Sequence, residues 1–180
     1  MTANMSPDDT GACNAPLPAS TTLRLDLPQR RSIRLPGYDY SRAGWYFVTI
    51  MADGGKLLFG SFGGELQFRP TPLDEIVSHC WHELAAQYPS VHADCWVLMP
   101  NHVHLLIGLL PVAQPKSLGQ IVGTLKSTCT RRAQAWRGAG SLWQRSYHEH
   151  IVRTTSELEI YRDYVRNNPR RWVEKRAGMK

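Results

Sequence analysis

The order of elements legible in this 180-residue chain predicts an α+β fold, a sandwich of one antiparallel sheet and helices. Three observations predict it. Residues 45–50 (WYFVTI) are β-branched and aromatic, as in a central strand. Apolar residues recur at helical spacing after Thr71-Pro72 and again after Ser117. Two apolar runs, 95–99 and 102–109, are separated only by Pro100-Asn101, as in an antiparallel pair joined by a tight turn.

Each element follows in order. Residues 1–23 are rich in Thr, Ala, Ser, Pro and Asp without periodicity and read as a disordered tail. Residues 24–44 form a basic arm, with Arg30, Arg31 and Arg34 ahead of Tyr38-Asp39-Tyr40. The main domain spans residues 45–172, and residues 173–180 are a basic C-terminal tail. Within the domain, Gly54-Gly55 and Gly63-Gly64 punctuate a hairpin-like segment after the first strand. Pro72 then sits in the first turn of a helix that buries Leu73, Ile76, Val77, Cys80, Trp81 and Leu84. The pair of runs around Pro100-Asn101 comes next. A second helix from Ser117 carries Ile121, Val122, Leu125, Cys129 and Ala133 on one face and Lys126, Arg131 and Arg132 on the other. Gly138-Ala139-Gly140 breaks it, residues 142–153 read as a final strand, and residues 156–168 as a last helix. That helix has a Ser156/Glu159 capping box and stops at Pro169. The sequence strand, helix, hairpin, helix, strand is the ferredoxin-like β-α-β-β-α-β order, with helices on one face and the other face of the sheet open for a ligand.

Composition narrows the function classes. A formal net charge of +6 and a pI near 9.4 point to a polyanionic partner, nucleic acid first and a membrane surface second. The four cysteines, Cys13, Cys80, Cys95 and Cys129, are far apart and lack Cys-x-x-Cys spacing, which argues against a zinc knuckle or a disulfide framework and for free thiols in a reducing cytosol. The N-terminus carries no basic-then-apolar leader pattern, and the longest apolar run, 105–113, is short and contains a proline. A cytoplasmic protein is expected.

The chemistry concentrates in two places. In Met99-Pro100-Asn101-His102-Val103-His104, alternation along a strand puts His102 and His104 on one face and Val103 on the other. Neighbouring imidazoles on a rigid strand can hold one divalent cation, whereas separately each would only cap a local hydrogen bond. In the last helix, Tyr164 and Asn168 are four residues apart and share a face. If that face lies on the sheet, the phenol and carboxamide converge on the histidines.

Taken together, His-Val-His after Met-Pro-Asn, then a helical Tyr with Asn four residues on and Pro directly after, resembles the single-tyrosine HUH transposases. Arg31-Ser32-Ile33-Arg34-Leu35, Tyr38-Asp39-Tyr40 and residues 142–150 (LWQRSYHEH) are similar to the branch called REP-associated tyrosine transposases. The resemblance covers residues 30–172. It implies that His102 and His104 are the histidines of the HUH motif, Tyr164 the nucleophile and Asn168 the residue completing a Mg2+ or Mn2+ site. Relatives usually carry Gln there, so a water-bridged Asn168 is a variant. It further implies transesterification of single-stranded or hairpin DNA at REP-like repeats beside a short tetranucleotide, through a 5′-phosphotyrosine, by a monomer or a homodimer associated with the nucleoid.

Candidate DNA contacts are Arg30, Arg31, Arg34, Lys126, Arg131, Arg132, Arg145 and Arg166, together with Arg170 and Arg171. Trp143 or Tyr147 is a stacking surface, and His150 a phosphate or proton contact. The triplet His148-Glu149-His150 competes for the cation, and Tyr161 and Tyr147 compete as nucleophiles. A non-cleaving nucleic-acid-binding protein and a metal-dependent hydrolase indifferent to Tyr164 remain alternatives.

Overall fold

The computed structural model describes residues 34–63, 67–176 and 178. The expected N-terminal tail, Arg30 and Arg31 lie outside them. The sheet is built from β1 (Gly44–Met51), β4 (Val91–Met99), β5 (His102–Leu109) and β6 (His148–Val152). A small hairpin, β2 (Gly60–Phe62) and β3 (Phe68–Pro70), stands apart from it, and the helices are α1 (Pro72–Gln87), α2 (Leu118–Arg137) and α3 (Thr155–Arg176). The strand order β4-β5-β1-β6, with every neighbouring pair antiparallel, is the predicted ferredoxin-like arrangement.

Period-two alternation sorts β1 and β5 between two cores. Tyr46, Val48, Ile50, Val103, Leu105 and Ile107 pack against the apolar faces of α1 and α2. Phe47 and Leu106 point the other way, onto Leu158, Val165, Tyr161 and Tyr164 of α3. The face expected to be open is therefore covered by the last helix, and all eight residues of β5 are buried. His102 and His104 fall by register on this second face.

Local signals start the helices much as expected. The Thr71 hydroxyl accepts from the Leu73 amide at the start of α1, and Ser117 and Gln120 form a capping box for α2. The start of α3 differs: Thr154, not Ser156, caps it, its hydroxyl taking the Glu157 amide while Glu157 reaches back to the Arg153 amide. The last strand is shorter than residues 142–153: Leu142, Trp143 and Gln144 keep isolated hydrogen bonds to residues 51–53, and Lys126 donates to the Gln144 and Arg145 carbonyls before the regular ladder begins at His148. β4 starts at Val91 rather than Cys95, ahead of a bulge between Ala93 and Trp96.

The correction with most consequence is at Pro169, which does not end α3. A helical proline removes one backbone hydrogen bond and crowds the preceding turn. Here packing beyond it outweighs that cost: the Trp172 ring lies 5.7 Å from that of His102, and the Arg171 guanidinium 5.3 Å from the Tyr164 ring.

α3 is also tied to the sheet edge. Arg162 donates two hydrogen bonds to one Asp94 carboxylate oxygen beside the β4 bulge and pairs with Glu159 on its own helix. The Arg162 and Asp94 side chains are only 25% and 14% exposed, so removing Asp94 leaves the Arg162 Nε–H and Nη2–H without their acceptor in a poorly solvated place while Nη1 keeps Glu159. Asp94→Ala is expected to lower stability by about 1–3 kcal/mol, read as a shift in denaturant midpoint. An unchanged midpoint would show that α3 is held by its apolar face alone.

Candidate active site

Two imidazoles meet on the α3 side of the sheet. His102 Nε2 and His104 Nε2 are 3.0 Å apart, and both residues are buried. Their other nitrogens are held from behind. Asn101 Nδ2 donates to the Gly55 carbonyl, which turns Asn101 Oδ1 towards His102 Nδ1 at 2.7 Å. His102 therefore carries its proton on Nδ1 and presents a bare lone pair at Nε2. Thr49, opposite His104 in the β1–β5 ladder, places its hydroxyl 2.8 Å from His104 Nδ1.

One proton order satisfies every nitrogen and oxygen along this line from Thr49 to Asn101. The Thr49 hydroxyl donates to His104 Nδ1, His104 Nε2–H to His102 Nε2, and His102 Nδ1–H to Asn101. Turning the Thr49 hydroxyl and moving the His104 proton to Nδ1 leaves two lone pairs aimed at one point. That donor set suits a divalent cation, because ligating histidines ordinarily have the second nitrogen fixed by such a partner.

Burial keeps both rings neutral. It pulls His102 down to about 4, and burial with His102 alongside pulls His104 down to about 3. The sign follows from linkage. Between about pH 6.5 and these values the unfolded chain takes up protons that the folded chain refuses, so stability falls as the pH is lowered. Thermal midpoints of the metal-free protein should drop from pH 7 to pH 4, with a smaller drop in His104→Gln; equal drops would place the destabilising protonation elsewhere.

Helix α3 supplies the remaining groups. The Tyr164 ring lies 5.3 Å from the His104 ring and edge-on to Phe47, itself stacked on His104. Asn168, one turn on, is buried. No group of three or more His, Cys, Asp or Glu able to hold a metal occurs among the described residues. The rival Tyr161 stacks on Phe47 at 4.5 Å and lies against His150, displaced from the histidine pair towards the β6 edge. Burial raises its phenol above the ordinary value.

Residues 70–168, more than half of the chain's length, match the family model of IS200-like transposases. The chain belongs to the IS200-like transposase family. An uncharacterized protein of Haemophilus influenzae is 32% identical over 175 residues, 86% of this chain and 96% of that one. A REP-associated tyrosine transposase of the same organism is 26% identical over 144 residues, 73% of each chain. The structure of a REP-associated tyrosine transposase bound to a REP hairpin superposes with a TM-score of 0.57 at 20% identity, covering 77% of this chain and 73% of that one. The resemblance drawn from the sequence motifs is thus matched by family, relative and fold.

Around the histidine pair, the basic residues divide. Arg166 is exposed on α3 beside Asp163. Arg131 and Arg145 are exposed along a groove of about 510 Å³ between α2 and the segment before β6, with the sheet between it and the histidines. Arg132 pairs with Glu83 on α1. Lys126 clasps the Gln144 and Arg145 carbonyls, and Arg34 is folded onto buried Glu149 and the face of Tyr147; both are engaged in holding the fold together. Trp143 corrects the expectation of a stacking surface, since its ring is buried and tilted on Phe59. His148 and His150 fall on the α3 side of the edge strand, but His150 Nε2 is taken by Glu157 at 2.5 Å.

Sequence reasoning missed Thr49, Asn101 as a positioning group, and Trp172. Thr49 reaches His104 only through strand pairing across 55 positions. The signal for Trp172 was present: Tyr164, Asn168 and Trp172 are successive i, i+4 positions. Thr49→Ala is expected to weaken Mn2+ binding about 10- to 100-fold, the ordinary cost of losing a group that orients a ligating histidine. Calorimetric titration checks it, and unchanged affinity would remove Thr49 from the site.

Proposed function

We propose that this chain is a metal-dependent DNA strand transferase that cleaves and rejoins single-stranded DNA at hairpin-forming repeats through a tyrosine–DNA intermediate. The observation that carries the reading is the convergence of two neutral imidazoles and the Tyr164 ring on one face of the sheet. Family membership and the hairpin bound by the superposable REP-associated transposase support the choice of DNA.

In this reading the Tyr164 oxygen attacks a backbone phosphorus in line with the 3′ oxygen. The new P–O bond forms a 5′-phosphotyrosine, the P–O3′ bond breaks, the phenol proton is lost to solvent and the 3′ oxygen is released as a hydroxyl. A second 3′-hydroxyl reverses the step on a new strand without ATP, since the phosphodiester energy is kept in the link. His102, His104 and Asn168 are the residues that would hold Mg2+ or Mn2+, whose chemistry is to neutralise charge on the phosphoryl oxygens. Phe47 fixes the plane of His104 and the edge of Tyr164. Arg166, Arg170 and Arg171, exposed on α3, flank the nucleophile and suit phosphate contacts.

The test is incubation of the protein with end-labelled hairpin DNA and Mn2+, followed by denaturing electrophoresis. A denaturation-resistant protein–DNA species supports the proposal. Cleavage without a covalent species favours the hydrolase reading, and binding without cleavage a regulatory DNA-binding protein. Either of those outcomes overturns it.

A further inference from the structure

A pocket of about 280 Å³ lies at the C-terminal end of α3, next to the histidine pair. Its walls come from three places: Leu57 and Phe62 around β2, Pro100 in the β4–β5 turn, and Trp172, Val173 and Arg176 from the last turns of α3. Apolar and aromatic side chains line it, and Arg176 supplies a cation, its guanidinium 4.6 Å from the Trp172 ring centroid. Trp172 links pocket and site directly, being half-buried with its ring 5.7 Å from that of His102.

The spacing along α3 explains the juxtaposition. Tyr164, Asn168, Trp172 and Arg176 recur every four residues, so one helical strip carries the phenol, the carboxamide, the indole and the guanidinium. At 1.5 Å per residue, Tyr164 and Trp172 are about 12 Å apart along the axis. A strand whose phosphate lies at the histidines therefore has its adjoining nucleotide at the pocket mouth. An aromatic wall with a guanidinium beside it is the surface that stacks a base while meeting its phosphate.

We propose that this pocket binds the nucleobase next to the cleaved phosphodiester, with Trp172 and Phe62 as the stacking walls and Arg176 on the adjoining phosphate, so that the C-terminal turns of α3 select the cleavage position. The proposal rests on the reading of the chain as a DNA strand transferase and names a subsite of that reaction.

The test uses binding alone, so that its failure and a failure of the chemistry can be told apart. The probe is a hairpin oligonucleotide whose single-stranded flank has been selected from a random pool on the full-length Tyr164→Phe protein. Abasic sites are placed at each flank position in turn, and Kd is measured by fluorescence anisotropy for Tyr164→Phe with and without Trp172→Ala. One position should lose about 5- to 100-fold in affinity when made abasic. The same abasic site should cost nothing further in the Trp172→Ala background, while Trp172→Phe restores most of the difference. Phe62→Ala, on the opposite wall, gives the same reading should Trp172→Ala fail to fold. Equal abasic penalties with and without the aromatic walls overturn the pocket even if the covalent adduct forms. Coupling at one position without any adduct keeps the pocket and overturns the transesterification.

Discussion

Tyr164→Phe is expected to fold like the natural chain and to form no covalent DNA adduct, with strand cleavage reduced by at least about 10³-fold, the scale on which removing a covalent nucleophile acts. The substitution deletes one oxygen. The contacts that seat the side chain, edge-on to Phe47, beside His104 and under the Arg171 guanidinium, need only the ring. Thermal stability and DNA affinity should change little, and that separation makes the result diagnostic. Denaturing gels of labelled DNA after incubation with Mn2+ read it. Persistent cleavage in Tyr164→Phe would remove the phenol from the reaction and return the site to a metal-dependent hydrolase. Tyr161→Phe serves as the control, since Tyr161 is stacked on Phe47 away from the histidine pair and should retain its adduct.

The second large effect is expected from His102. Replacing it with Ala removes one of two facing nitrogens and also the ring that meets Trp172. Adduct formation should fall by at least about 100-fold, and Mn2+ affinity with it, because the loss exceeds that of a group acting only through a ligand. The cavity left under Trp172 has its own stability cost, so His102→Gln is the companion variant: it preserves bulk without the imidazole and should be equally impaired. An active His102→Gln protein that binds Mn2+ normally would contradict the role given to the pair. Prediction for His104 runs in parallel, with Thr49 left without its ring partner.

Much of this was legible in the residues, and the parts that were not share a cause. Alternation alone separated His102 and His104 from Val103, and the Pro100-Asn101 turn fixed where the β4–β5 pair reverses. The four-residue spacing of Tyr164 and Asn168 put both on one helical strip. These are short-range patterns, set by backbone periodicity. What escaped depended on contacts between distant segments. Thr49 meets His104 through strand register, and Arg34 and Lys126, read as phosphate contacts, are drawn inward by Glu149 and by loop carbonyls. Trp143 looked like a stacking surface and is core, because Phe59 lies across it. A proline ordinarily stops a helix, yet past Pro169 two further turns of α3 are held by contacts to His102 and Tyr164 that lie outside any local window. No helix among the described residues is long and apolar enough to cross a membrane.

One particular phenol, that of Tyr164, is expected to carry the DNA. Trypsin separates the two candidates, since cleavage after Arg162 and Arg166 leaves Tyr164 in the peptide Asp163-Tyr164-Val165-Arg166 and Tyr161 in the one before it. Mass spectrometry of the nuclease-trimmed adduct should find a nucleotide on the four-residue peptide, attached through the tyrosine oxygen. A nucleotide on the Tyr161 peptide, or no modified peptide where the DNA has been cut, would take the nucleophile's role from Tyr164.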